Sequence, residues 1–140
     1  MPSKSVVLDA NILIRAVLGK RVRAIIEARS EEISFFVPEE GLSEAERHLN
    51  GLVTKRGGDP VKASAVLRSV AALVTIVGHE VYSGFETEAR RRLGRRDPED
   101  WPIVATALAL DSPIWTEDAD FFGCGIAIWT STSIDIFFGQ

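Results

Sequence analysis

Cysteine is almost missing from the 140-residue chain. Cys124 stands alone, so no disulfide forms within it. There are only two histidines, His48 and His79, and no second cysteine to join them, which argues against a structural zinc site. No apolar run reaches the roughly 18 to 20 residues that cross a bilayer. Basic residues number 16 against 20 acidic ones, a formal net charge of −4. That balance argues against a broadly basic face for nucleic acid, but not against a local site that holds phosphate through a metal. Repeats, low-complexity tracts and linkers are also lacking, and the length predicts one domain spanning 1–140. Met1-Pro2-Ser3-Lys4 has no signal-peptide pattern. Together these absences predict a soluble cytoplasmic protein with no membrane partner.

What is present is a 46% hydrophobic chain patterned for a layered core. Val6-Val7-Leu8 is a short apolar run that reads as a buried strand and stops at Asp9. Helices follow over Ile12 to Leu18 and Val22 to Ser30. Ile33 to Val37 reads as a second strand, ended by Pro38. Glu39 to Arg56 is helical, with Leu42, Ala45, Leu49, Leu52 and Val53 on one face. Asp59-Pro60 combines a capping oxygen with a first-turn proline and starts the next helix. Val74 to Val77 is strand three. A single helix is expected over Glu80 to Leu93, then another from Asp97 through Leu110. Pro113 to Thr116 and Ala127 to Trp129 are strands four and five, and Ser131 to Phe138 is a last helix. Alternating strands and helices predict an α/β fold with a parallel sheet covered on both faces.

Several carboxylates fall at the ends or beginnings of these elements. Asp9 and Asp118 each follow a strand, and in parallel α/β sheets the carboxyl ends of strands line the ligand crevice. Glu44 and Asp100 lie at or near the starts of helices. Crowded carboxylates repel one another, and at least one pKa rises unless a cation compensates. An oxygen-only donor set suits a hard ion, Mg²⁺ or Mn²⁺. Each acid also has an ordinary structural reading. Asp9 and Asn11 suit a helix cap, Asp97-Pro98 with Asp100 suits a capped acidic first turn, Glu44 suits an exposed helix position, and Thr116-Glu117-Asp118 suits a turn.

Four motifs stand in order: Val-Val-Leu-Asp-Ala-Asn-Ile-Leu-Ile (6–14), Pro-Glu-Glu-Gly-Leu-Ser-Glu (38–44), Asp-Pro-Glu-Asp-Trp-Pro-Ile-Val-Ala-Thr-Ala (97–107) and Trp-Thr-Glu-Asp-Ala-Asp-Phe (115–121). In this order the chain resembles the PIN-domain ribonucleases over essentially its whole length. The resemblance implies a PIN-like three-layer α/β/α sandwich with a five-stranded parallel sheet. It also implies Mg²⁺- or Mn²⁺-dependent hydrolysis of RNA phosphodiesters, in many small members as VapC-like toxins that form homodimers and are silenced by a small antitoxin. By match, the catalytic acids are Asp9, Glu44, Asp100 and Asp118, and the metal ligands Asp9, Asp100, Asp118 and Asp120. Asn11, Asp97 and Thr116 would orient them. Glu40 and Glu46 lie close enough to Glu44 to compete for its place. Trp101-Pro102 departs from the small or apolar residues commoner at that point in the family.

Arg90, Arg91, Arg92, Arg95 and Arg96 crowd ahead of Asp97. Arg92, Arg95 and Arg96 are the expected contacts to RNA phosphates, against the alternative of a solvated helix end. Arg15, Lys20, Arg21 and Arg23 form a second basic stretch. Trp101, Trp115 and Trp129 are expected to pack in the core or at its edge. Phe35, Phe36, Phe137 and Phe138 are expected in the core too, the last pair also suiting a dimer or antitoxin surface. Two other functions use the same acids. A non-catalytic PIN-like or receiver-like regulatory domain would bind Mg²⁺ without chemistry, but a receiver needs a lysine after its last strand, and none follows Lys62. A phosphohydrolase with an aspartate nucleophile wants Asp-x-Asp where the chain has Asp9-Ala10-Asn11.

Overall fold

The computed structural model describes residues 4–139. Met1-Pro2-Ser3, from which the lack of a leader was read, and Gln140 lie outside them. Five strands form one sheet in the order β3-β2-β1-β4-β5: β1 (Lys4–Leu8), β2 (Ile33–Pro38), β3 (Thr75–Val77), β4 (Ile114–Trp115) and β5 (Ile128–Trp129). Every pairing is parallel. The eight helices among the described residues are α1 (Ala10–Leu18), α2 (Arg21–Arg29), α3 (Glu39–Lys55), α4 (Pro60–Ala71), α5 (His79–Tyr82), α6 (Glu86–Leu93), α7 (Trp101–Leu110) and α8 (Ile134–Phe138).

The two-residue period of the strands divides their side chains between two cores. Val6, Leu8, Phe35, Val37 and Trp115 face a core closed by α1, α2, α3, α4 and α8. Val7, Ile114 and Val77 face another, closed by α5, α6 and α7. Helices on both faces are what a parallel sheet requires, since its strands are apolar on both sides. This is the three-layer α/β/α arrangement with a five-stranded parallel sheet that the sequence predicted.

Several boundaries differ from the reading of the sequence. The segment over 80–93 is not one helix: α5 ends at Tyr82, a 3₁₀ turn spans Ser83–Phe85, and α6 starts at Glu86. Gly84 in that turn lowers helical persistence. The acidic stretch ahead of α7 likewise forms a separate 3₁₀ turn, Pro98–Asp100, capped by Asp97, whose Oδ1 accepts the Glu99 amide at 3.0 Å. Strands β4 and β5 are two residues each, shorter than predicted. Helix α8 begins at Ile134, after hydroxyl–backbone bonds among Thr130 and Ser133 hold a turn in place. Short polar side chains compete with the helix ladder in just this way.

The order of strands matters for function. The chain runs from β1 outward to β2 and β3 on one side, then returns to place β4 and β5 on the other. A crevice therefore opens beside the carboxyl end of β1, where the winding reverses. The register pairs Leu8 with Trp115, so the next residues, Asp9 and Thr116, emerge together at that edge.

Candidate metal and nuclease site

Asp9 is 6% exposed and sits between the end of β1 and the start of α1. Its backbone stays extended, and its side chain caps α1: Oδ1 accepts the Asn11 amide at 2.6 Å. Its other oxygen accepts from the buried Thr116 hydroxyl. Capping and site formation thus coexist in one residue. Thr116 Oγ1 in turn accepts the Asp118 amide at 2.9 Å. Asp118 then caps the 3₁₀ turn Ala119–Phe121, its Oδ1 accepting the Asp120 amide at 2.9 Å. One hydroxyl therefore ties together the acids that follow two adjacent strands.

Carboxylate oxygens of Asp100, Asp118 and Asp120, one from each, lie within 4.8 Å of one another. Burial pushes the Asp9 carboxyl up, and the charges of Asp118 and Glu44 add to that; the bonds from Thr116 and Asn11 oppose it. Asp100 is pushed up to about 7, by burial first and then by the charges of Asp97, Asp9, Asp118 and Glu44. The acids are thus close enough to sense one another although they come from four separate parts of the chain. Asp97 contributes through its charge as well as through its cap.

Asp9 and Asp100 open onto a cleft of about 250 Å³ shared with Glu40, Glu44, Glu99, Arg47, His79 and Trp101. Of the three glutamates competing on α3, Glu46 does not line this cleft, while Glu40 and Glu44, one helical turn apart, both do. Glu44 is half-buried and raises both Asp9 and Asp100; Glu40 is exposed. Glu117 has a different task, accepting the Ser131 amide at 2.6 Å.

The expected arginines do not line the cleft. Arg92 bonds Glu88 at 2.9 Å and the Cys124 carbonyl at 3.0 Å. Arg96 donates to the carbonyls of Leu93 at 3.0 Å, Arg92 at 2.9 Å and Phe122. Both guanidinium groups brace the loop that follows Asp118 and Asp120. Arg95 is exposed on the turn between α6 and Asp97. The cationic side chain that does line the cleft is Arg47, which the sequence reading missed. Nothing in its local pattern marks it; only its place on α3, three residues after Glu44, held a clue. His79 was missed for the same reason, and Trp101, expected to pack in the core or at its edge, lines the cleft as well. Trp101 is half-buried, packed against the Tyr82 ring at 5.7 Å between centroids. All three tryptophans fit the expectation of core or edge packing: Trp101 packs against the core of α5, α6 and α7, Trp115 is fully buried and Trp129 half-buried.

The profile of the PIN domain matches residues 7–138. No curated protein matches the chain. Among solved structures, PAE2754 from Pyrobaculum aerophilum is 16% identical, with a TM-score of 0.72 over 97% of this chain and 89% of that one. VapBC2 from Rickettsia felis, bound to a DNA fragment from its promoter, is 16% identical, with a TM-score of 0.66 over 90% of this chain and 98% of that one. A toxin–antitoxin complex from Klebsiella pneumoniae is 17% identical, with a TM-score of 0.58 over 90% and 97%. At such identities the likeness is one of fold.

Proposed function

Since the chain belongs to the PIN domain family, we propose that it is a metal-dependent endoribonuclease, the toxin half of a toxin–antitoxin pair. The observation that carries this reading is the convergence of Asp100, Asp118 and Asp120 within 4.8 Å, beside the buried Asp9. The donor set fits a hard divalent ion: all oxygens, crowded enough that Asp100 is pushed up to about 7. Asp9, Asp100, Asp118 and Asp120 would hold Mg²⁺ or Mn²⁺. When bound, such an ion activates water and neutralises charge on a phosphodiester. Thr116 keeps Asp9 and Asp118 in register through its hydroxyl, and the Asn11 amide fixes the other Asp9 oxygen. Glu44 completes the acid set from the α3 side. No side chain needs to act as a nucleophile, so hydrolysis proceeds by attack of water without a covalent enzyme intermediate.

The toxin reading draws on the fold shared with the Klebsiella toxin–antitoxin complex and with Rickettsia VapBC2. It implies a small antitoxin partner and a homodimer. No helix among the described residues is long and apolar enough to cross a membrane.

The test is cleavage of single-stranded RNA in Mg²⁺ or Mn²⁺ by wild type beside Asp9→Ala and Asp118→Ala. The wild type cuts, chelator stops it, and each variant loses about ten- to a hundredfold, as expected when a ligand or its support is removed. Equal cutting by the variants overturns the site. Metal binding with no cleavage by wild type points instead to a regulatory domain.

A further inference from the structure

Helix α3 contains a glycine that packing does not explain. Gly41, near its start, has a steric reason: a Cβ there would meet Val37 Cγ2 at 3.2 Å and Ile103 Cδ1 at 3.6 Å. Gly51 lies deep in the same helix, and a Cβ there would meet nothing within 4 Å. Glycine inside a helix is disfavoured against alanine, so an unneeded one costs stability. Gly51 borders a hollow of about 400 Å³ between α1 and α3, lined by Asn11, Ile14, Arg47, His48, Gly51 and Leu52. Arg47 lines both this hollow and the acid cleft, so the two adjoin.

Their chemistry differs. The acid cleft is lined by Asp9, Glu40, Glu44, Glu99 and Asp100, whereas no acid lines the hollow. Its floor is apolar, from Ile14 and Leu52, and its edge carries the polar side chains of Asn11 and His48. An apolar floor with polar edges suits an unpaired base, and the shared arginine suits the phosphate between two nucleotides. A missing Cβ lets a flat group approach the helix backbone closely.

We propose that this hollow is a subsite for the nucleotide adjoining the scissile phosphodiester of single-stranded RNA, with Arg47 on the backbone phosphate between the hollow and the acid cleft. The proposal deepens the ribonuclease reading and rests on it. Single strands are the substrate class because a paired base cannot turn its face or edges into a hollow beside the cleavage site. The favoured occupant is a nucleic acid rather than a protein because the hollow continues the cleft through a cation and carries no acid.

The test is the Kd of a labelled single-stranded RNA of about ten nucleotides, measured by anisotropy in chelator, so that no cleavage occurs. Gly51→Phe places a ring in open space, where the fold tolerates it, and Gly51→Ala controls for helix propensity. Gly51→Phe and Arg47→Ala each raise Kd about tenfold, the loss expected for one base or phosphate contact. Gly51→Ala, which adds only the Cβ, melts at a higher temperature and raises Kd by less than Gly51→Phe does. A melting scan confirms that Gly51→Phe is folded. If it is not, Gly51→Gln, a straight-chain residue that suits a helix, takes its place with the same expected rise. Unchanged RNA affinity in a folded Gly51 variant with a large side chain overturns the subsite. So does a shift in oligomeric mass with RNA affinity intact, which would give the face to a protein partner. RNA cleavage by the wild type is scored separately. A wild type that binds but does not cut removes the ribonuclease reading and with it the scissile position assigned here, whereas a wild type that cuts beside a folded, bulky Gly51 variant that binds RNA unchanged removes the subsite alone.

Discussion

Thr116 shows how one side chain joins two strands into a site. It is fully buried, donates to Asp9 and accepts from the Asp118 amide. A hydroxyl can do both at once, and a methyl can do neither. Thr116→Val keeps the shape and leaves a buried carboxylate and a backbone amide without their partner. That costs about 1–3 kcal/mol, read as a lower urea midpoint. Mn²⁺ affinity, followed by calorimetry, falls as Asp9 and Asp118 lose register, and Thr116→Ser restores both. If Thr116→Val binds Mn²⁺ as tightly as wild type, the hydroxyl does not organise the acids.

The brace between α6 and the loop after β4 is the second level of control. Arg96 reaches back to Leu93 and Arg92 and across to Phe122, while Arg92 reaches Cys124. Gly123 and Gly125 carry φ of 87° and 85° there, a left-handed backbone that a side chain would strain. A planar guanidinium can serve several carbonyls at once, and an ammonium cannot match that geometry. Arg96→Ala is therefore expected to lower stability by about 1–2 kcal/mol in urea unfolding, with Arg96→Lys recovering little of it. Because the same loop follows Asp118 and Asp120, the variant also weakens Mn²⁺ binding. Unfolding curves that superimpose on wild type would show that the brace does not hold the loop.

For the molecule as a whole, the acidic edge makes stability depend on pH. In the metal-free protein Asp100 has a pKa of about 7, well above its ordinary value of 3.8. Between those values the folded state binds more protons than the unfolded chain. Stability therefore falls as pH rises towards about 7 and levels off above it. Asp9, also pushed up, acts in the same direction. In chelator, Tm is expected to be lower at about pH 8 than at about pH 5, and Asp100→Asn shrinks the difference. Added Mn²⁺ raises Tm more at the higher pH, where protons no longer compete for the carboxylates. A chelated wild type whose Tm rises across this range would contradict the crowding of the acids. The Glu88 carboxyl, held down to about 2 by Arg91 and Arg92, titrates below this window and does not confuse it.

The sandwich was legible in the linear chain because it depends on local alternation. Val6-Val7-Leu8, Ile33 to Val37 and the apolar faces of α1 and α3 carry the periods of strand and helix wherever they are read. The Asp59-Pro60 cap is local in the same way, and the structure forms it, with Asp59 accepting the Val61 amide at 2.9 Å. The acids were visible as residues at element ends. Their convergence was not, because it depends on β4 lying beside β1 and on a hydroxyl that spans 107 residues of sequence. The arginines show the limit most clearly. Position near Asp97 pointed Arg92 and Arg96 at RNA, but side-chain direction set them on backbone carbonyls and left Arg47 lining the cleft. Periodicity and capping act over a few residues, whereas the partner of a long side chain is chosen by whatever the fold brings within its reach.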